Sequence, residues 1–371
     1  MKKFTVLFST TALFLSLAVT GFAADTIKLG VAGPHSGDLA PYGIPSMKAA
    51  QLVVKKINAS GGVLGKQVEL LIQDDQCKNE IATNVATKLV TEGVDVVLGH
   101  ICSGATKAAL GIYMDAKVTV MSPSATDNAL TYSGEYPNFF RTIAANIAQA
   151  ELSVDYAINK LGLKKVAILH DKGDYGKGFA EDVKSLLEKS GKVEVTLFEG
   201  ITPGAMDYSS VVQKVRRTKA EALVFGGYQP EASKLVTAMQ RKRIKALFIS
   251  DDGVNGPDFL KIAGKAAEGA YVTGPLDLSK IPMNAVAKAE YKAEYGDAPG
   301  QFFQEGYAAT LALLNAIEKA GSTDYEAVTK VLHSQYVDTP VGKVKFNAKG
   351  DAEGVGYTMY KVENGNFVEI K

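Results

Sequence analysis

Two clusters of small polar residues follow apolar runs that have the composition of buried strands. Ser103-Gly104-Ala105-Thr106 comes directly after VDVVLG (94–99), and Thr126 closes SPSAT (122–126) after the next apolar run. If a helix begins at Ser103, the free N–H groups of its first turn and the helix dipole favour an anion. Two such sites side by side suit a carboxylate, which accepts hydrogen bonds on both oxygens. Ser and Thr are also favoured helix N-caps, so plain capping stays an open alternative for each residue.

Aromatic and acidic side chains follow comparable apolar runs in the second half of the chain. The three loops are HDKGDYGKG (170–178), which contains Tyr175, GGYQPE (226–231), which contains Tyr228, and SDDGVNG (250–256), which contains Asp251 and Asp252. A pair of carboxylates could carry out general acid–base catalysis. Because adjacent residues usually point in different directions, we expect one functional and one solvated carboxylate in the last loop instead.

Enzyme and metal motifs are poorly matched. GHICSGAT has the wrong spacing for a Gly-x-Ser-x-Gly elbow, GGVLGKQ is one residue short of a Walker loop, and GVAGPHSG does not match Gly-x-Gly-x-x-Gly. A Ser-His-Asp triad stays possible, but the four histidines are scattered and no metal-binding spacing of His or Cys occurs. We therefore predict a protein that is not an enzyme and has neither a metal nor another cofactor.

Short β-branched runs alternate with helical periodicity along most of the chain, which predicts an α/β fold with parallel sheets. The predicted strands form a first series (27–33, 68–75, 94–99, 118–123) and a second series (164–171, 193–200, 222–227, 246–252, 270–276). Two series predict two similar α/β domains. Ligands of open parallel sheets bind outside the carboxyl ends of the strands, where the polar loops described above lie.

The last hundred residues predict three helices and a hairpin. The helices fall near 284–295, 303–319 and 324–333, and Asn364-Gly365 is a strong hairpin turn signal. We expect the helices to return to the first domain. The predicted division is a first lobe of residues 24–144 plus 275–355 and a second lobe of residues 145–274 plus 356–371.

The N-terminus has the features of a secretory signal peptide. Lys2 and Lys3 precede the uncharged stretch 4–24, and Gly21 and Ala23 place small residues at a cleavage site after Ala23. We therefore expect an exported protein with a signal peptide at 1–23 and, because no cysteine stands near the cut, no lipid anchor. Cleavage leaves 39 of the 41 basic residues against 40 acidic ones, a balance that does not favour nucleic acid as a partner.

Cys77 and Cys102 are the two cysteines of the chain. In an exported protein an isolated pair is expected to form one disulfide. Each cysteine follows the end of an apolar run, so adjacent parallel strands would bring them together. A metal site is the weaker alternative.

The quoted loops, together with VAGPHSGDLAPYG, INASGGVLGKQVEL, DDQC and VDTPVGKVKFNAKGD, carry a resemblance that spans nearly all of residues 25–371. The chain resembles the periplasmic leucine/isoleucine/valine-binding proteins of ABC transporters. The resemblance implies the type I binding-protein fold, in which two Rossmann-like lobes with parallel-core sheets are joined by a three-crossover hinge that closes on the ligand. It also implies a monomer that captures an aliphatic amino acid between the lobes and delivers it to a permease and ATPase complex in the inner membrane.

The resemblance implies eight ligand-binding positions, namely Tyr42, Ser103, Ser124, Thr126, Tyr175, Tyr228, Asp252 and Phe302. Ser103 and Thr126 match positions that hold the α-carboxylate of the ligand. Asp252 matches an acid that pairs with the α-ammonium, and Ser124 matches the position whose backbone carbonyl, together with Thr126, also receives that ammonium. The four aromatic positions match pocket walls (Tyr42, Phe302) and closure contacts of the second lobe (Tyr228, and more peripherally Tyr175). Cys77 and Cys102 match the disulfide pair of the family.

Two positions depart from the family pattern. Ser124 replaces the usual Ala, and Asp252 replaces the usual Glu, so the carboxylate reaches about 1 Å less, as one C–C bond implies. These departures leave the preferred ligand open. The alternatives are the same fold binding an amide, a urea or an aromatic acid, or a sensory ligand-binding module.

Overall fold

The computed structural model describes residues 25–370. The predicted signal peptide lies outside the described residues. No helix among those described combines the length and the apolar content needed to cross a bilayer.

The first sheet is entirely parallel, with the strand order β2-β1-β3-β4-β5. Its strands are β1 (Ile27–Gly33), β2 (Val68–Asp74), β3 (Val96–Leu98), β4 (Thr119–Ser122) and β5 (Phe139–Arg141). The helices along this part of the chain are α1 (Ala40–Ala59), α2 (Asn79–Thr91), α3 (Ser103–Asp115) and α4 (Ala129–Tyr132). Every residue of β3 and β4 is buried, as expected for central strands covered by helices on both faces.

The second sheet has the strand order β14-β13-β10-β9-β8-β6-β7. Its helices and parallel strands are α5 (Asn146–Asp155), β6 (Lys165–His170), α6 (Asp174–Ser190), β7 (Glu194–Gly200), α7 (Ser209–Arg217), β8 (Ala222–Gly226), α8 (Gln229–Arg241), β9 (Leu247–Ser250), α9 (Pro257–Ala263) and β10 (Tyr271–Pro275). A single π-helical turn (Tyr156–Lys160) and short 3-10 turns complete this part of the chain.

The C-terminal region contributes to both lobes. It contains α10 (Pro282–Tyr295), α11 (Phe303–Ala320), α12 (Tyr325–Ser334), a small hairpin of β11 (Val337–Thr339) and β12 (Gly342–Val344), and the antiparallel pair β13 (Tyr357–Glu363) and β14 (Asn366–Ile370). Leu313 and Ile317 of α11 share a hydrophobic core with Leu29 of β1, whereas Val362 of β13 packs into the core of the second sheet. The chain therefore crosses between the lobes three times, after β5, after β10 and before β13.

These observations confirm the predicted α/β class with two parallel-core sheets. Each strand of the two predicted series and each of the predicted helices named above is present, with bounds within two residues of the expected ones. The sequence missed β5, α5 and the β11–β12 hairpin, because three-residue strands and a helix with weak apolar periodicity leave little pattern to detect. The residue boundaries of the two lobes stay a prediction.

The predicted disulfide is confirmed. Cys77 and Cys102 are bonded, with a Cα–Cα distance of 5.6 Å and a sequence separation of 25. The bond ties the turn before α2 to the residue that precedes α3. The first turn of α3, where Ser103 lies, is therefore anchored covalently to the end of β2.

Replacing both cysteines, Cys77→Ser with Cys102→Ser, should lower the free energy of unfolding by about 3–4 kcal/mol, since closing a loop of this length restricts the unfolded chain by that amount in the chain-entropy model. Urea unfolding monitored by circular dichroism measures the change. The oxidised wild-type protein is the reference, and dithiothreitol-treated wild-type protein should match the variant. An unchanged unfolding midpoint in the variant would show that the bond contributes no stability.

Candidate functional site

The loops after β3 and β4 form one continuous surface at the carboxyl edge of the first sheet. The Ser124 hydroxyl donates a hydrogen bond to the Ile101 carbonyl (2.7 Å), and the Asp127 N–H donates to the Ser103 hydroxyl (3.2 Å). Parallel neighbouring strands place the two loops side by side, and these hydrogen bonds fix their separation. Both Ser103 and Ser124 are buried.

This surface presents backbone N–H groups without partners. Within residues 25–370, no hydrogen bond engages the N–H groups of Ser103, Gly104 and Ala105 in the first turn of α3, nor that of Thr126. The Thr126 hydroxyl donates to the side-chain oxygen of Asn146 at 2.7 Å. Buried N–H groups are rarely left unpaired, and these groups together can donate hydrogen bonds to a carboxylate.

Arg141 is bonded to the loop that contains Thr126, and this residue was not identified from the sequence. Its buried guanidinium pairs with Asp351 at 2.6 Å and donates to the carbonyls of Ala125 (3.3 Å) and Asp127 (2.9 Å). A fully buried arginine that bonds the backbone on both sides of Thr126 holds this loop in place. Only the fold could reveal this role, because Arg141 ends a strand too short to predict.

Asp252, which follows β9 in the second lobe, faces the first lobe. The Tyr175 hydroxyl donates to Oδ1 of Asp252 at 2.6 Å, while Oδ2 is buried and has no hydrogen-bond partner among residues 25–370. Burial raises the pKa of Asp252 to about 6, although the hydrogen bond from Tyr175 lowers it. The side chain is therefore ionised at neutral pH and offers one free oxygen to a cation.

Asp251 has a different environment, although it is adjacent to Asp252. Its Oδ2 accepts a hydrogen bond from the Gly227 N–H at 2.8 Å, and it does not line the interlobe cavity. Burial, reinforced by the charge of Asp252, raises the pKa of Asp251 well above its usual value. The two carboxyl groups point in different directions, as expected, but Asp251 is buried and not solvated.

Four aromatic rings close the space between the lobes. Tyr42 lies 5.4 Å from Tyr228 and 6.0 Å from Phe302 between ring centroids, and Tyr175 lies 5.2 Å from Tyr228. The Tyr42 hydroxyl, which belongs to the first lobe, donates to the Gly253 carbonyl of the second lobe at 2.5 Å. Phe302 has a left-handed φ of 64°, which is strained for an aromatic residue and indicates that its position is imposed by the surrounding packing.

Six of the eight predicted residues surround one interlobe cavity. The lining consists of Tyr42, Ile101, Ser124, Tyr175, Tyr228, Asp252, Gly253 and Phe302. Ser103 and Thr126 lie behind this lining, so their predicted contact with a carboxylate stays a prediction. The cavity measures about 10 Å³, room for roughly one water molecule. Any larger ligand requires the lobes to separate and the rings to move.

A wider groove lies on the outer side of the first lobe. It measures about 830 Å³ and runs between α1, α10 and the β11–β12 hairpin, with mainly apolar side chains such as Val53, Val286 and Leu311. Its Lys56 is already paired with Glu290 at 2.6 Å. None of the eight predicted ligand-binding residues lines this groove. Among residues 25–370, no cluster of side chains suitable for a metal ion occurs.

Comparison with known proteins shows similarity along nearly the whole chain. A family model for periplasmic binding proteins matches residues 26–366. The leucine-, isoleucine-, valine-, threonine- and alanine-binding protein of Pseudomonas aeruginosa is 36% identical over 366 residues, 97% of each chain. The Leu/Ile/Val-binding protein of Escherichia coli K12 is 33% identical over 359 residues, 96% of this chain and 97% of that protein.

Solved structures show the same architecture. The branched-chain amino acid transporter substrate-binding protein LivJ of Streptococcus pneumoniae, in complex with isoleucine, aligns with a TM-score of 0.82 and 29% identity, covering 93% of this chain and 100% of that chain. The leucine-binding protein LivK of Thermotoga maritima aligns with a TM-score of 0.86 and 23% identity, covering 93% and 98%. These alignments confirm the predicted fold class.

The buried acids predict how the stability of the ligand-free protein depends on pH. Burial raises the pKa of Asp171 and Glu305 to about 7 and that of Asp252 to about 6. The folded protein therefore keeps protons that the unfolded chain releases, and this contribution to stability, fully present below the unfolded-state pKa of about 4, is lost progressively as the pH rises to about 6 to 7. The melting temperature should rise as the pH is lowered from 8 to 5, measured by scanning calorimetry at constant ionic strength.

Two histidines oppose this trend, so the control is a variant that changes Asp252 alone. Burial lowers the pKa of His35 and His170, so their contribution decreases stability as the pH falls below about 6.5, their ordinary pKa. The variant Asp252→Asn should show a shallower rise than the wild-type protein between pH 7 and 5. Identical slopes for the two proteins would contradict the assigned pKa of Asp252.

Proposed function

This chain belongs to the periplasmic binding protein family, and we propose that it captures a branched-chain amino acid between its two lobes. The observation that carries this proposal is the buried Oδ2 of Asp252, which has no partner among residues 25–370 and belongs to a residue that lines the cavity. The first lobe offers unpaired N–H groups opposite it. A ligand with one anionic and one cationic end satisfies both sets of groups.

The carboxylate of the amino acid is proposed to lie at the first turn of α3. The N–H groups of Ser103 and Thr126 belong to the unpaired set, and the two hydroxyls lie beside them. Helix N-termini favour anions through both the free N–H groups and the dipole. This assignment explains why a binding site for an anion needs no Lys or Arg in contact with the ligand.

The ammonium group is proposed to lie between Asp252 and the backbone carbonyl of Ser124. No described residue donates a hydrogen bond to that carbonyl. The Ser124 hydroxyl is turned to the Ile101 carbonyl, so the departure from the usual Ala adds no donor toward the ligand. Because the ammonium gains Asp252 only when the lobes are together, the ligand favours the closed state.

The side chain of the ligand is proposed to contact the aromatic walls and Ile101. Burial of aliphatic surface contributes about 25 cal/mol per Å². The names of the relatives, which bind leucine, isoleucine and valine, support an aliphatic ligand. Their similarity also supports a binding protein of the periplasm, and we propose that it is a monomer, is not an enzyme, and is exported by the cleaved signal peptide expected at residues 1–23, without a lipid anchor. It would deliver its ligand to an ABC permease and ATPase complex in the inner membrane.

Isothermal titration calorimetry of protein refolded to remove bound ligand should show one site for leucine, isoleucine or valine. 4-Methylpentanoate, which is leucine without its ammonium, should bind at least tenfold more weakly, because Asp252 then stays buried without a cation. Leucinamide, which lacks the carboxylate of leucine, is the matched control for the carboxylate end of the proposed site. Heat from none of the twenty amino acids, or tighter binding of amides or aromatic acids, would overturn the proposed ligand class.

The two adjacent aspartates should respond differently to neutralisation. Asp252→Asn should weaken leucine binding by about 100-fold, because losing one partner of a buried ion pair typically costs roughly 2–5 kcal/mol. Asp251→Asn should change the affinity by less than about threefold, since Asp251 does not line the cavity and an amide of the same shape can still accept the hydrogen bond from the Gly227 N–H. Calorimetry on both variants makes the comparison, and equal losses would show that the wrong carboxylate is assigned.

A further inference from the structure

A pair of buried amides, Asn146 and Gln149, lies at the first crossover between the lobes. Both residues are in the first turn of α5, directly after the chain leaves β5, and neither side chain is exposed. Neither one lines the interlobe cavity. Burying two amide side chains is unfavourable unless their polar groups are bonded, so the partners of these groups indicate what the pair does.

Asn146 is bonded to the carboxylate end of the proposed site. Its Oδ1 accepts hydrogen bonds from the Thr126 hydroxyl (2.7 Å) and from Nε2 of Gln149 (3.0 Å). Its backbone N–H donates to the Thr126 carbonyl at 2.7 Å. Its Nδ2 donates to the Tyr175 carbonyl of the second lobe at 3.1 Å. One side chain therefore contacts both lobes.

Gln149 continues this connection to the ammonium end. Its Oε1 accepts hydrogen bonds from the backbone N–H of Asp252 (3.1 Å) and from the hydroxyl of Thr273 (2.8 Å) in β10. Thr273 precedes the second crossover, so Gln149 also joins two of the three connections between the lobes. Thr126, Thr273 and Asp252 are all buried.

The polar groups of Asp252 are otherwise fully engaged. The backbone carbonyl accepts from Nε2 of Gln301 at 2.5 Å, Oδ1 accepts from Tyr175 at 2.6 Å, and the N–H is held by Gln149. Oδ2 is the one oxygen left for a cation. Because the N–H, the C=O and Oδ1 of Asp252 are all bonded, the direction of Oδ2 is restricted, and Gln149 is one of the three residues that restrict it.

We propose that Asn146 and Gln149 are positioning residues that couple Thr126, at the carboxylate end of the site, to Asp252, at the ammonium end. The inference rests on the proposed function, since it assigns a role to residues behind the same site. Neither residue touches the ligand. A carboxylate that orders Thr126 thereby orders the backbone N–H of Asp252 through three side chains, those of Thr126, Asn146 and Gln149.

The test compares two ligands that differ only in the ammonium. In Gln149→Leu, the dissociation constant of leucine should rise by tenfold or more, whereas that of 4-methylpentanoate should change by less than about twofold. The isosteric Thr273→Val removes one hydrogen bond to Gln149 without changing Asp252. It should raise the dissociation constant of leucine about threefold and change that of 4-methylpentanoate by less than about twofold. Calorimetry at fixed pH measures all four constants against wild type.

Asn138→Leu is the matched control, because Asn138 is another fully buried amide, bonded to the Val118 carbonyl away from the cleft. It should lower the melting temperature as Gln149→Leu does, yet leave the ratio of the two ligand constants unchanged. Equal weakening of both ligands by Gln149→Leu, or no weakening by Thr273→Val, would overturn the positioning role. Failure of the wild-type protein to bind leucine would instead overturn the proposed function, before any variant is compared.

Discussion

A carboxylate oxygen buried without a partner is the constraint on which the cleft between the lobes depends. Oδ2 of Asp252 is buried without a partner among the described residues, and the residue lines a cavity with aromatic walls, while its other polar groups are bonded. A buried charge without a counterion is so unfavourable that the group either takes up a proton or attracts a cation. The raised pKa of about 6 reflects the first response, and the proposed amino acid supplies the second.

The division of the site between two lobes follows from this constraint. The unpaired N–H groups belong to the first lobe, whereas the free carboxylate oxygen belongs to the second. A dipolar ligand can satisfy both only when the lobes are together, so binding and closure are one equilibrium. Tyr42 contributes to the closed state directly, because its hydroxyl also accepts from the Gln229 N–H of the second lobe at 3.1 Å. The small cavity means that the same rings must part for the ligand to enter.

The supporting structure keeps the floor of the site rigid. Arg141 stands where the chain leaves the first sheet, and its partner Asp351 stands shortly before the third crossover. The loop that contains Ser124 and Thr126 is therefore bonded to the chain segments at which the lobes are joined. The disulfide fixes the start of α3 in a similar way. With this support, a movement of the proposed lobes would leave the spacing of the proposed carboxylate donors unchanged.

The sequence by itself determined the fold class, nearly all the strands and helices, the disulfide, and six of the residues that surround the cavity. The strands are short runs of apolar and β-branched residues, which a sequence shows clearly. The polar loops at their carboxyl ends are recognisable wherever a parallel sheet is expected. The resemblance added the aromatic walls and the choice of Asp252. It could not show that Asp251 is buried and bonded to the Gly227 N–H, since adjacent residues have the same local sequence.

Only the tertiary structure decided which polar groups are paired. Arg141, Asn146 and Gln149 follow short or weakly patterned segments, and their partners lie up to 210 positions away along the chain. Hydrogen bonds of this kind depend on distances of a few tenths of an ångström between side chains from different elements. No local pattern encodes such distances, because they result from how the two sheets and the three crossovers pack together.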